Sequence, residues 1–91
     1  MIRVRFLRAF DDSLGELSDK ERSKVEAAVK RLLDYFSGGP KPLGLGLRKL
    51  QGSHWEIRAG LEKRLFFSLE GGLAVFILVG SHDDVRRHLH R

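Results

Sequence analysis

The stretch that most constrains the fold runs from His54 to Val85. It holds three short runs in which apolar residues alternate with other residues, and turn residues separate these runs. A period of two residues is typical of β-strands. The pair Gly71-Gly72 predicts a tight hairpin turn, because glycine readily adopts the positive φ angles that such turns require. We therefore predict a meander of three antiparallel strands.

The two faces of this meander carry different side chains. Glu56 and Arg58 share one face of the first run, and Arg64 and Phe66 share one face of the second. The third run, Leu73 to Val79, is apolar on both faces, as is typical of a strand in the middle of a sheet. The alternation therefore predicts that the two arginines lie on one side of the sheet.

The N-terminal part of the chain predicts one strand and two helices. Apolar residues alternate from Ile2 to Leu7, as in a strand with its apolar face turned inward. A short helix is predicted from Arg8 to Leu17. Ser18 and Glu21 have the spacing of a capping box, with the serine at the N-cap. A second helix is therefore expected from Asp19 to about Phe36, with an apolar stripe at helical spacing.

A loop and a terminal helix complete the predicted layout. Lys41 to Gln51 is expected to be a mobile basic loop, and Asp83 to Leu89 a short helix that leads into the basic tail ending at Arg91. The fold class is α+β, in the order β-α-α-β-β-β, with two helices packed on one face of a small, mainly antiparallel sheet. The opposite face has less to cover it, so we expect the functional residues there.

Composition narrows the possible functions. The 91 residues are expected to form a single domain, residues 1–91. The absence of cysteine excludes a disulfide framework and suits a cytoplasmic protein. No apolar run reaches the length of about 18 residues that a membrane span needs. Residues 41–91 hold nine Lys or Arg against five acidic residues. This surplus indicates a polyanionic partner, with RNA as the first candidate, although a charge that serves only solubility is an open alternative.

Three segments together resemble a known protein family. They are LQGSHWEIR from Leu50 to Arg58, KRLFF from Lys63 to Phe67, and VGSHDDV from Val79 to Val85. With the order of the predicted elements, they resemble the RelE/ParE superfamily, the toxins of bacterial type II toxin–antitoxin systems. The likeness covers nearly the whole chain in layout and is concentrated between Arg48 and Val85 in residue detail. It implies a RelE-like fold and a cognate antitoxin protein as partner.

The resemblance implies one of two activities. RelE-like members are ribosome-dependent mRNA endoribonucleases, or mRNA interferases, which inhibit translation. ParE-like members inhibit DNA gyrase, and a RelE-like domain without catalytic activity is a third possibility. We favour the nuclease, with mRNA and the ribosome as partners and with neither a membrane nor a small-molecule cofactor. In metal-independent transesterification the ribose 2′-OH attacks the adjacent phosphorus. This reaction needs a base, an acid and cations that stabilise the phosphorane.

The resemblance also suggests catalytic residues. Arg58 and Arg64 match positions at which nucleolytic members carry basic residues, and Arg64 is expected to contact the scissile phosphate. His82 falls where several nucleolytic relatives have a histidine or an arginine, and an imidazole transfers protons near neutral pH. The alternative for His82 is a capping role in a strand-to-helix turn. Glu56 is a candidate general base, and the alternative is an ion pair with one of the two arginines. We expect the Ala variants of Arg64 and His82 to fold, because neither side chain belongs to the apolar core.

Further residues are expected to bind RNA through charge or stacking. Phe66 would stack on a base, and Arg86 stands near the position where many nucleolytic members have a tyrosine. The four histidines have no carboxylate or cysteine at ligand spacing, so no metal site is expected. The predicted RNA-binding residues are Arg48, Lys49, Lys63, Phe66 and Arg86.

Overall fold

The computed structural model describes residues 2–41 and 43–90, so Pro42 of the predicted loop and Arg91 of the predicted tail lie outside the described residues. The described chain forms five strands and three helices. In chain order these are β1 (Arg3–Phe6), α1 (Arg8–Gly15), α2 (Asp19–Phe36), β2 (Arg48–Lys49), β3 (His54–Ala59), β4 (Lys63–Glu70), β5 (Leu73–Gly80) and α3 (His82–Leu89).

The sheet has the strand order β1-β5-β4-β3-β2. β1 runs parallel to β5, and the other pairs are antiparallel. The predicted meander and the predicted α+β class are therefore confirmed. Gly71 and Gly72 have φ angles of 58° and 76°, as the predicted hairpin turn requires. The two-residue strand β2 lies in the predicted loop and was not predicted, because two residues are too few to show a period.

Helices α1 and α2 pack on one face of the sheet, as predicted. The predicted capping box starts α2: the backbone N–H of Ser18 donates to Oε1 of Glu21, and the backbone N–H of Glu21 donates to Oγ of Ser18. One inward residue of the prediction differs, since Phe6 is 47% exposed. Its ring stacks on Phe76 at 5.2 Å between centroids, but β1 is an edge strand, so about half of the side chain stays exposed. The buried core of this layer is Phe10, Val25, Ala28, Leu32, Leu45, Ile57, Ala59, Leu65, Phe67, Ala74, Phe76 and Val79.

The opposite face of the sheet is covered by α3, which corrects the expectation of an open face. Phe66, Ile77 and Val85 form a second buried cluster there, and Leu89 packs against it. Ile77 lies on this face with Val75 by simple alternation, and the β-bulge comes after it: Leu78 pairs with Phe66, while the next pair joins Phe76 to Phe67. Leu78 therefore packs on the same side as Ile77, and Val79 joins the core with Phe76. The extra residue breaks the strict alternation predicted for β5. Among the described residues, none of the helices has the length and apolarity to cross a membrane.

The second cluster should contribute strongly to stability. Phe66→Ala removes a ring that is fully buried, so we expect a loss of about 3–5 kcal/mol in the free energy of unfolding. Phe6→Ala is the matched control, because it makes the same substitution at a half-exposed ring. Urea unfolding monitored by circular dichroism measures both. Equal losses for the two variants would contradict the packing of α3 on Phe66.

Candidate functional site

A cleft of about 660 Å³ lies between α3 and the strands β2 and β3. We call it the cationic cleft, because three of its side chains are Lys or Arg and Glu56 is the acidic residue among those that line it. Such a charge pattern attracts a polyanion and concentrates it at the surface. The lining residues are Arg48, Lys49, Leu50, Gln51, Glu56, His82, Val85, Arg86, Leu89 and His90.

The start of α3 fixes the position of His82 in the cleft. The backbone N–H of Ser81 donates to Oδ2 of Asp84 at 2.9 Å, and the backbone N–H of Asp84 donates to Oγ of Ser81 at 3.1 Å. The hydrogen bond from the Ser81 backbone is the main reason why the pKa of Asp84 is lowered. This capping box leaves His82 exposed at the first helical position. Ser81 rather than His82 therefore supplies the cap.

Four residues of α3 follow one helix face toward the cleft. His82 and Arg86 are one turn apart, and Val85 and Leu89 continue the same face. The apolar pair packs against the cluster under the helix, while the polar pair borders the cleft. This spacing of three and four residues is visible in the sequence. It could have shown that the terminal helix covers the sheet.

Glu56 lies at the floor of the cleft with a side chain that is only 3% exposed. Nε of Arg64, whose side chain is 17% exposed, lies 3.5 Å from Oε2 of Glu56. Within the described part of the chain, this oxygen accepts no hydrogen bond. The contact is therefore an ion pair without a well-formed hydrogen bond, and the ion-pair alternative for Glu56 is confirmed. A buried carboxylate in this state is a strong acceptor for any donor that enters the cleft.

The two predicted catalytic arginines lie beside the cleft rather than in its lining. Arg58 and Arg64 stand directly opposite each other in the register of β3 and β4. Like charges at such a site repel each other, and Glu56 offsets this repulsion through its ion pair with Arg64. Arg58 is exposed, and its side chain lies against Gly46. A Cβ atom added at Gly46 would come within 2.9 Å of Cγ of Arg58. Arg64 does not line the cleft, and it acts on the cleft through its ion pair with Glu56.

Two of the predicted RNA-binding residues lie elsewhere. Phe66 is fully buried beneath α3, so the prediction that it stacks on a base is wrong. Lys63 begins β4, where it pairs with Ala59 of β3, and it is not among the residues that line the cleft. The structure does bring together the remaining three, Arg48, Lys49 and Arg86.

Gln51 and His90 also line the cleft, and neither was predicted as a site residue. Gln51 belongs to the segment predicted as a loop, where no period indicates its direction. His90 follows the last turn of α3 and was assigned only to the basic tail. Across the described ranges, no group of three or more His, Asp or Glu residues is placed to hold a metal ion.

Comparisons with known proteins identify the fold. No model of a protein family matches the sequence, and no curated protein gives a significant match. Among solved structures, a chain of the Escherichia coli DinJ–YafQ complex matches with a TM-score of 0.74 and 15% identity, over 93% of this chain and 98% of that chain. A chain of the RelB–RelE antitoxin–toxin complex from Methanococcus jannaschii matches with a TM-score of 0.70 and 17% identity, over 92% and 96%.

A third solved structure gives the same result. A chain of the RelBE2 toxin–antitoxin complex from Mycobacterium tuberculosis matches with a TM-score of 0.61 and 20% identity, over 89% of this chain and 98% of that chain. The described chain therefore has the RelE-like toxin fold that the sequence resemblance implied.

The ion pair on the cleft floor makes Arg64 important for stability. Arg64→Ala leaves a buried carboxylate without a partner, so we expect a loss of about 3–5 kcal/mol in the free energy of unfolding. Arg64 is still expected not to belong to the apolar core, so the variant should fold, but with lower stability because Glu56 is buried. The double variant Arg64→Ala/Glu56→Gln should recover part of the loss, because the buried charge is gone. Thermal unfolding of the single and double variants tests this, and purely additive losses would show that the pair is uncoupled.

Proposed function

We propose that this chain, with its RelE-like fold, is the toxin of a type II toxin–antitoxin pair and cleaves mRNA on the ribosome. The observation that carries the proposal is the cationic cleft. Arg48, Lys49 and Arg86 line it together with the exposed imidazole of His82, and the carboxylate of Glu56 lies at its floor. Cations, an imidazole and a carboxylate are the groups that transesterification of RNA requires.

Each group has a role in the proposed reaction. Glu56 takes the proton of the ribose 2′-OH, because its carboxylate is the basic group at the floor of the cleft. The 2′-oxygen then forms a bond to the adjacent phosphorus, and the bond from phosphorus to the 5′-oxygen breaks. His82 in its protonated form gives a proton to the leaving 5′-oxygen. The products are a 2′,3′-cyclic phosphate and a 5′-hydroxyl, so protons and charge balance without another reactant.

The cations of the cleft stabilise the charge that grows on the phosphorane oxygens. Arg48 faces Glu56 across the short β2–β3 ladder, and Arg86 comes from α3. Two different elements therefore supply cations to one cleft. Arg64 takes a positioning role in this scheme, because it holds Glu56 and does not line the cleft. This replaces the direct phosphate contact that the sequence predicted for it.

The cleavage assay compares neighbouring arginines of one helix. Arg86→Ala should slow single-turnover cleavage of mRNA on programmed ribosomes by about a hundredfold, since it removes one donor to the developing charge. Arg87→Ala is the matched control, because Arg87 pairs with Asp84 and does not line the cleft. His82→Ala should slow cleavage by roughly a hundredfold or more, and its exposed position predicts normal folding, which circular dichroism checks.

Other outcomes of this assay would overturn the proposal. Cleavage by His82→Ala at the parental rate would remove His82 from the mechanism. If the parent protein leaves mRNA intact on the ribosome but inhibits supercoiling by gyrase, the ParE-like alternative is correct. If it does neither, the chain is a RelE-like domain without catalytic activity, and Arg86, where many nucleolytic members have a tyrosine, is the first residue to examine, by Arg86→Tyr.

We also propose that a cognate antitoxin blocks the cleft with an acidic segment. Several of the solved structures that share this fold are toxin–antitoxin complexes, among them DinJ–YafQ and RelB–RelE, and the charge of the cleft favours an acidic partner. The proposal places both proteins in the cytoplasm, where mRNA and ribosomes are found.

Charge complementarity should make the association of toxin and antitoxin fast and sensitive to salt. The candidate partner is the product of an adjacent reading frame, and stopped-flow mixing from low to high salt measures its association rate. We expect the rate to fall steeply with salt and to fall further in Arg86→Ala. An adjacent gene product that does not bind at low salt and micromolar concentration would contradict this.

A further inference from the structure

A second cavity, of about 550 Å³, lies next to the cationic cleft. We call it the histidine cavity, because His54 and His88 form two of its walls over the ring of Phe66. Gln51 and Ser53 also line it. Its volume is within the range of about 300–1,000 Å³ that is typical of small-ligand sites.

The two imidazoles are held in place by the buried ring of Phe66. The His54 ring lies parallel to it, with 5.2 Å between centroids and an interplanar angle of 11°. The His88 ring meets Phe66 edge-on at 5.1 Å and 62°. Because Phe66 is fully buried between the sheet and α3, it anchors one imidazole from β3 and one from α3.

The backbone around His54 adds to this rigidity. The N–H of His54 donates to the carbonyl oxygen of Gln51 at 2.9 Å, and Leu50 N–H donates to the carbonyl oxygen of His54 at 2.9 Å. Nδ1 of the imidazole lies 3.3 Å from the same Gln51 oxygen. A preorganised aromatic ring binds a second ring with little loss of entropy. His54 is therefore a rigid platform for stacking.

The histidine cavity differs from the cleft in charge and adjoins it in space. Among the described residues, no Lys, Arg, Asp or Glu lines the cavity, whereas Arg48, Lys49 and Arg86 line the cleft. Gln51 and Leu89 line both. A ligand that fits the pair of sites has an anionic part next to a planar, uncharged part. A single-stranded nucleotide has this chemistry, since its phosphate and its base are separate groups.

We propose that the histidine cavity binds one unpaired base of the mRNA whose backbone lies in the cationic cleft, with the base stacked on His54. Protein aromatic rings, including histidine, stack on the exposed bases of single-stranded RNA. The amide of Gln51, the hydroxyl of Ser53 and the imidazole of His88 supply hydrogen-bonding groups for the edge of the base. This inference rests on the proposed function, because it assigns a base subsite to the same RNA.

Abasic nucleotides test the stacking directly. A series of ribosome-bound mRNAs carries one abasic nucleotide at successive positions near the cleavage site. For the parent protein, an abasic nucleotide at one position should raise the protein concentration needed for half-saturation by roughly 5- to 100-fold. This is the usual effect of losing one stacked base. His54→Ala should weaken binding of the intact mRNA by a similar factor and abolish the sensitivity to that one position.

His54→Phe is the matched control for His54→Ala, because it keeps a ring that packs on Phe66 and stacks on a base. We expect it to bind within about threefold of the parent and to retain the sensitive position, since aromatic stacking tolerates different rings. If His54→Ala does not fold, as thermal unfolding would show, the abasic series with the parent and with His54→Phe still decides the question. The absence of any sensitive position would then overturn the base subsite.

The experiments distinguish a wrong base subsite from a wrong proposed function. If the parent cleaves mRNA and folded His54→Ala binds it like the parent, the subsite is wrong and the proposed function stands. If the parent does not cleave, a single-stranded 2′-O-methyl RNA is added and the ring protons of His54 are followed by NMR. Upfield shifts at His54 would support stacking on this ring, and unchanged shifts would overturn the subsite.

Discussion

The site depends on the packing of α3 against Phe66. The ring is fully buried, and Val85 and Leu89 of the helix pack in the same cluster. This contact brings His82 and Arg86 beside strands that are distant in the sequence. The same ring orients His54 and His88. One apolar side chain therefore supports both the cationic cleft and the cavity next to it, although it has no direct role in the proposed reaction.

The ion pair between Glu56 and Arg64 is the main electrostatic constraint on the cleft. A buried carboxylate is costly without a partner, and a partner at 3.5 Å offsets only part of that cost. The carboxylate oxygen that faces Arg64, Oε2, accepts no hydrogen bond from the described residues. Stability alone would favour an apolar residue on this floor. The proposed role of Glu56 as general base accounts for a charge that costs stability at this position.

Much of the fold follows from local patterns that are visible in the sequence. The alternation of β3 and β4, the turn at Gly71-Gly72 and the cap at Ser18 each depend on neighbouring residues, so they are predictable. The bulge at Ile77 is different, because an extra residue leaves no trace in a strand that is apolar on both faces. The burial of Phe66 depends on which helix packs over it, and alternation carries no such information. The cleft was therefore predicted only in part.

The parallel pairing of β1 with β5 affects when the proposed site can assemble during synthesis. Arg3 pairs with Leu73, so β1 cannot pair with β5 until most of the chain has been synthesised. The long segment between the two strands must also be brought into a closed loop, which is slow. Helix α3 follows β5 and supplies one wall of the cleft. A nascent chain that ends before Ser81 has the basic residues of β2 but no cleft around them. The order of the elements thus delays assembly of the site until β5 and α3 have left the ribosome.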